Sequence, residues 1–440
     1  MSRKPNWKIA CDMTRKPLRQ VIALSLSALL IALVGCSSAQ LSGGPPPPPP
    51  VGNVATISVN GGPLAGTQFA YGNGAFTSVT ICVPGSTTQC QTIDGILVDT
   101  GSYGLRIEAS VLTLSLPQQK DSSNNPIVEC GEFGSGFTWG PVQTADFTIA
   151  GESAKSLPIQ VMGSPSFPDT DAGGATTCAS NNGGAGTTAD LNSVQSLGAN
   201  GILGVGNFAE DCGTACTQSG ASNPGIYNSC PTASTCVSAN EPVASQVVNP
   251  VVMFSTDKNG VVIELPAVAN GETTTVNGSL IFGIGTESNN GLGNAKILDV
   301  DTSAGNFTTV FNANSFGGDE GFLDSGSEAL FFLNAATTGL PACPDPGFTQ
   351  LYCPATNANL SATNEGFSNG NSSTVDFTVG NAEALINSSD NAISILGGEG
   401  VATNNALFFD WGLPFFYGTN VFVAIDGATT PGGPGPYVAY

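Results

Sequence analysis

Ile96-Leu97-Val98-Asp99-Thr100-Gly101-Ser102 and Gly321-Phe322-Leu323-Asp324-Ser325-Gly326-Ser327 are two copies of one local pattern, 225 positions apart. In each, an apolar run leads directly into Asp-Thr/Ser-Gly-Ser, which places a carboxylate at the end of a buried strand and just before a tight glycine turn. An ionised carboxylate buried alone in such a place is expensive. The second copy supplies a partner. Two carboxylates face to face share one proton, because like charges at contact raise the cost of the second deprotonation. One is then base and the other acid: a water between them is deprotonated by one carboxylate while the other protonates or hydrogen-bonds a scissile carbonyl, with no covalent intermediate. Asp99 and Asp324 are therefore the candidate catalytic residues. Thr100 and Ser325 are expected to brace the two loops, Gly101 and Gly326 to make the turns, and Ser102 and Ser327 to orient the carboxylates.

Composition narrows the chemistry further. The 440-residue chain has no histidine, which removes the usual general base of serine and cysteine hydrolases and the HExxH metalloproteases. A hydrolase built from this sequence works with carboxylates and water, and no cofactor or metal is implied. With 40% apolar residues the chain is long enough for two or three folding units. Short β-branched runs such as Ser78-Val79-Thr80-Ile81-Cys82-Val83 alternate with Gly, Asn, Ser and Pro clusters, and long amphipathic helical patterns are scarce. This predicts a mainly β body with long surface loops, the stretch from Phe167 to Ala189 being one of them.

The N-terminus points to export. Residues 1–35 carry Arg3, Lys4, Lys8, Arg15, Lys16 and Arg19 followed by the apolar run Val21 to Val34, too short for a comfortable membrane span and in the order of a signal peptide. Leu33-Val34-Gly35-Cys36 resembles the lipobox of bacterial lipoproteins, which implies cleavage before Cys36 and its lipidation. By the same resemblance Ser37 favours the outer membrane of the cell envelope. Residues 36–52, with Pro45 to Pro50, form an extended tether. Removal of the leader leaves 32 acidic against five basic residues, a net charge of −27, so membrane attachment must come from the lipid and nucleic-acid binding is excluded. Ten cysteines remain once Cys11 is cleaved off and Cys36 acylated, and an exported body favours five disulfides. Cys82 with Cys90, Cys130 with Cys178 and Cys343 with Cys353 are natural neighbours. Cys212, Cys216, Cys230 and Cys236 permit three pairings or, as an alternative, a zinc site without CxxC spacing.

With these residues in view, the chain resembles the pepsin-like aspartic peptidases. Phe76 to Ile107 is similar to that family's first hairpin and catalytic loop, and Phe133-Gly134-Ser135-Gly136-Phe137 to its flap, the hairpin that closes over substrate. Asn200-Gly201-Ile202-Leu203-Gly204 resembles the hydrophobic-hydrophobic-Gly element beneath the first loop. Gly278 to Gly283 resembles the strand opening the C-terminal lobe, and Trp411 to Asp426 the closing segment. The resemblance implies a mainly β, two-lobed fold with a central cleft, lobes at 53–258 and 259–440, and endopeptidase activity on a peptide or protein substrate. Departures from the pattern bear on activity. Phe133 stands at the flap position normally held by tyrosine and cannot donate a hydrogen bond, leaving the indole N–H of Trp139 as the candidate substitute. Arg106 belongs either beside Asp99, where it would favour the ionised form, or at the surface. Glu328 either faces solvent or disturbs the pair, and Asp410-Trp411-Gly412 puts a charge where the family has an apolar residue. These departures sustain an alternative, a catalytically inactive envelope binding protein on the same fold. The run Asp299-Val300-Asp301-Thr302-Ser303-Ala304-Gly305-Asn306 has acid spacing reminiscent of a calcium loop but lacks its glycine and closing glutamate, and is expected to be a polar turn.

Overall fold

A computed structural model of the chain describes residues 52–440 except 68, 170–177, 179–188, 313 and 403–404, with backbone alone at 221, 270 and 314–320. The leader, Cys36, the tether up to residue 51 and most of the 167–189 excursion lie outside the described residues. What is described is mainly β, as the short alternating runs predict. A fifteen-stranded sheet and a seven-stranded sheet carry the chain, and the helices Val194–Leu197, Ala335–Thr338 and Ala382–Ile386 are single turns.

The two halves of the sequence share the larger sheet through its first strand. Val54–Gly61 pairs on one edge with Tyr71–Cys82 and on the other with Val276–Phe282, both antiparallel. Its side chains alternate, Ala55, Ile57 and Val59 buried and Thr56 and Asn60 exposed, the period of two that a half-buried strand requires. Burying Ile57 and Val59 stabilises the junction by roughly 1.5–3 kcal/mol each.

Each Asp-Thr/Ser-Gly loop is produced by the same local device. Cys90–Asp99 enters the first loop and Tyr103–Glu108 leaves it. Gly201–Val205 runs between them, parallel to the entering strand with Val98 opposite Leu203, and antiparallel to the leaving strand. In the second half, Phe409–Trp411 runs parallel to the end of Asn314–Leu323, with Leu323 opposite Trp411, and antiparallel to Leu330–Phe332. Both inserted strands run into a glycine because the neighbouring chain leaves no room for a side chain. A Cβ on Gly204 would stand 2.5 Å from the Tyr103 amide nitrogen, and one on Gly412 would stand 2.1 Å from the Ala329 carbonyl oxygen. Beneath the second loop, Trp411 stacks on Phe409 and meets Phe377 and Phe415 at centroid distances of 5.3 to 5.4 Å. Phe331, Phe332, Phe408 and Phe409 are all buried core.

Five disulfides join Cys82 to Cys90, Cys130 to Cys178, Cys212 to Cys216, Cys230 to Cys236 and Cys343 to Cys353. The pairing of Cys212 with Cys216 and of Cys230 with Cys236 selects one of the three open connectivities and leaves none of these four sulfurs as a thiolate for the zinc alternative. The Asp299 to Asn306 stretch is a polar turn: Asp301 accepts from the Ser303, Ala304 and Asn306 amides, and Asp299 from the Ser368 and Asn369 amides of another loop.

Several carboxyls are buried with the core. Glu108 is 1% exposed and its Oε1 has no hydrogen-bond partner among the described residues; burial, then the charge of Asp190, push it up to about 8. Glu241 is pushed up to about 7, chiefly by burial, against the hydrogen bond from Gln119. Between the ordinary glutamate range and these values, the folded chain holds protons that the unfolded chain has released, so stability falls as pH rises. Thermal unfolding is expected to show a higher Tm at about pH 5 than at about pH 8.5, and Glu108→Gln to flatten that slope. A variant with an unchanged slope would count against the assignment.

Candidate functional site

The two inserted-strand motifs bring their loops together at the junction of the halves. Asp99 and Asp324 are 5% and 9% exposed. Within each loop the glycine amide donates to its own aspartate, Gly101 to Asp99 Oδ1 at 2.8 Å and Gly326 to Asp324 Oδ1 at 2.7 Å. The serine that follows donates to the second oxygen, Ser102 to Asp99 Oδ2 and Ser327 to Asp324 Oδ2. The loops face each other closely. A Cβ on Gly101 would stand 2.6 Å from Asp324 Cγ, and one on Gly326 would stand 2.7 Å from Asp99 Oδ1. Each turn must therefore be glycine for the opposite carboxyl to fit.

Thr100 and Ser325 lock this arrangement with four crossed hydrogen bonds. The Thr100 amide donates to Ser325 Oγ at 3.1 Å and the Ser325 amide to Thr100 Oγ1 at 2.9 Å. Each hydroxyl then donates to the strand before the opposite loop, Thr100 to the Leu323 carbonyl at 3.2 Å and Ser325 to the Val98 carbonyl at 2.8 Å. All four groups are buried, so each bond lost leaves an unsatisfied polar group. Asp324 is held well above the usual carboxylate range, by burial first and then by the charge of Asp99 and a hydrogen bond with it, against the Ser327 and Gly326 donors. A carboxyl kept protonated beside a second carboxylate is the electrostatic condition for dividing acid from base.

Two further residues join the loops to distant parts of the chain. Tyr71 donates its hydroxyl to the Gly326 carbonyl at 2.8 Å. Asn73, fully buried, donates to the Glu328 carbonyl and accepts the Tyr417 hydroxyl, each at 2.8 Å. Nothing in their local sequence marks either residue, because their partners lie 255 to 344 positions away. Glu328 itself is partly buried and engages Asn73 through its backbone.

The flap hairpin is formed by Ile127–Phe133 and Gly136–Ile149, with Phe133 opposite Gly136 and Gly134-Ser135 as its turn. Phe133 is partly buried and packs against the apolar cluster that contains Phe76, Leu97, Met162 and Ile202. Trp139 does not supply the missing donor: it is 1% exposed and its Nε1–H is taken by the Phe167 carbonyl at 3.1 Å. Arg106 takes neither expected place. It is 3% exposed and its guanidinium binds Glu129 on the flap, Asp211 at 3.2 Å and the Tyr103 carbonyl at 2.7 Å, with the Phe133 ring above it at 5.5 Å. Burying a guanidinium requires paired carboxylates, and these two carboxylates draw it under the flap. Asp410 is also buried, 2.6 Å from Ser327 Oγ.

This architecture is the mainly β, two-lobed, pepsin-like fold. The chain is similar to the crystal structure of an aspartic proteinase from Irpex lacteus, with a TM-score of 0.50 over 88% of this chain and 96% of that one, at 16% identity. Residues 49–440 match the model of the family described as protein of unknown function (DUF3443), and the chain belongs to that family. No curated protein matches the chain.

Loss of the crossed brace is expected to destabilise the fold measurably. Ser325→Ala and Thr100→Val should each destabilise the fold by about 1–3 kcal/mol in urea unfolding. Ser325→Ala breaks the two bonds of Ser325 Oγ and Thr100→Val the two of Thr100 Oγ1. The double variant should still lose less than the sum, because loosening the junction from either side already weakens the bonds that the other residue makes. Additive losses would mean that the two residues act independently.

Proposed function

We propose that the chain is a lipid-anchored aspartic endopeptidase of the bacterial cell envelope, with Asp99 and Asp324 as its catalytic residues. The observation that carries this is the pair itself: two buried aspartates on symmetric loops, each ordered by a glycine amide and a serine, with Asp324 held towards its protonated form. In this reading Asp99 takes a proton from water as the water oxygen attacks the scissile carbonyl, and Asp324 donates its proton to the carbonyl oxygen. The tetrahedral diol then collapses, the leaving amine takes the proton from Asp99, and Asp324 recovers its own. Thr100, Gly101, Ser102, Ser325, Gly326 and Ser327 hold the pair. Phe133, Gly134, Ser135 and Gly136 cover an extended peptide or protein substrate, with Trp139 packed in the hairpin behind them. Export by the leader and lipid on Cys36 would place the body on the envelope, at the outer membrane. A second reading, a binding protein that holds a peptide without cleaving it, is favoured by Phe133, which offers substrate no hydroxyl at the flap.

Peptide-library cleavage by the full chain in detergent tests the first reading against the second. Activity is expected to be higher below neutral pH and to fall as pH rises through the upper titration of the pair, because the acid loses its proton. Asp99→Asn and Asp324→Asn should each lower kcat/KM by about 10²–10⁴-fold. Absence of cleavage at every pH by a folded preparation would leave the binding protein. Separately, Cys36→Ser is expected to abolish labelled fatty-acid incorporation and release the body from the membrane fraction; retention in that fraction would overturn the anchor.

A further inference from the structure

Asp410 occupies the centre of the inserted strand of the second half, between Phe322 on the parallel side and Phe331 on the antiparallel side. Leu203 lies opposite Val98 and Trp411 opposite Leu323, so the position matching Asp410 in the first half is Ile202. One half places an aliphatic side chain there and the other a carboxyl that is 1% exposed.

That carboxyl is not isolated. Its Oδ2 lies 2.6 Å from Ser327 Oγ, which lies 2.9 Å from Asp324 Oδ2. A serine hydroxyl carries one proton and cannot donate to two carboxylates at once. One of the two contacts therefore needs a proton from the carboxyl side. Asp410 Oδ1 has no hydrogen-bond partner among the described residues. The charged groups that act on Asp410 are Asp324 and Asp99, both acidic, and no lysine or arginine is among them. An ionised carboxylate without a cation in such a place costs several kcal/mol. Burial first, then the charge of Asp324, push Asp410 well above the usual carboxylate range.

We propose that Asp410 is a neutral carboxylic acid that donates its proton to Ser327 Oγ, committing the Ser327 hydroxyl as a donor to Asp324 and making Asp410 a positioning residue for the aspartate pair. The order of donation is Asp410 to Ser327 to Asp324, and each bond polarises the next. Charge on the pair is thereby stabilised from the Asp324 side. Ser102 has the aliphatic Ile202 strand behind it instead, so the two aspartates are unequal although their loops are nearly superimposable in sequence. The protonation state stands on the contacts alone; its effect on rate rests on the peptidase reading above.

Two measurements on the full chain separate these parts. The first is an infrared difference spectrum at neutral pH between Asp410→Asn and the unsubstituted chain. Loss of a carboxylic-acid C=O stretch is expected, and loss of carboxylate stretches would overturn the proposal whether or not the protein cleaves peptides. The second is the pH profile of peptide cleavage. Asp410→Leu removes the donor behind Ser327, so kcat should fall about tenfold with little change in KM, and the acid limb should move to higher pH. Asp410→Asn, whose Nδ2–H can donate to Ser327, should restore most of both. If Asp410 were ionised, both variants would remove a negative charge and move the acid limb to lower pH, which would refute the assignment.

Discussion

Two buried carboxyl groups of like charge repel each other, and the junction between the halves of this protein is organised to hold them together. The repulsion is met by burial that holds Asp324 towards its neutral form and by the donors aimed at each carboxyl. Position is supplied by the crossed bonds of Thr100 and Ser325, which satisfy buried amides and carbonyls of both halves at once. Neither loop can move without stranding polar groups of the other. The glycine at each turn follows from the same closeness, since any Cβ there would meet the opposite carboxyl.

Strand topology delivers the loops to that place. In each half a third strand runs between the strand entering the loop and the strand leaving it, so the loop is framed by backbone hydrogen bonds on both sides. The device is nearly symmetric in backbone and unequal in chemistry. Ile202 lies in the first half where Asp410 lies in the second, and the carboxyl reaches the pair through Ser327. An aspartate that looks like a flaw in an apolar element is, in its packed setting, part of the hydrogen-bonding system of the site.

The flap is anchored by a different kind of interaction. Arg106 leaves the strand that follows the first loop and binds Glu129 of the hairpin and Asp211 of a later loop, while Tyr227 donates to Asp211 at 2.7 Å. Removing one member of such a buried group leaves an uncompensated charge, so its members depend on one another. The base of the hairpin is further tied by the Cys130–Cys178 disulfide. Its tip, Gly134-Ser135, lies beyond both ties, next to Phe133.

The sequence by itself determined what composition and contiguous residues encode: apolar runs ending in Asp-Thr/Ser-Gly-Ser, the two-residue alternation of strands such as Val54–Gly61, and the absence of histidine that makes carboxylates the candidate acid and base. These are local patterns, and backbone sterics and burial read them locally. Tertiary structure alone decided which side chains meet. Arg106 could be placed by sequence beside Asp99 or at the surface, yet its partners are Glu129 and Asp211, 23 and 105 positions away. Trp139 kept its N–H for Phe167, the four clustered cysteines paired in neighbours, and Asp410 found Ser327 across 83 positions. The physical reason is the same in each case: the free energy of a buried charge or polar group depends on the partner packed against it, and that partner is chosen by the fold rather than by neighbours along the chain.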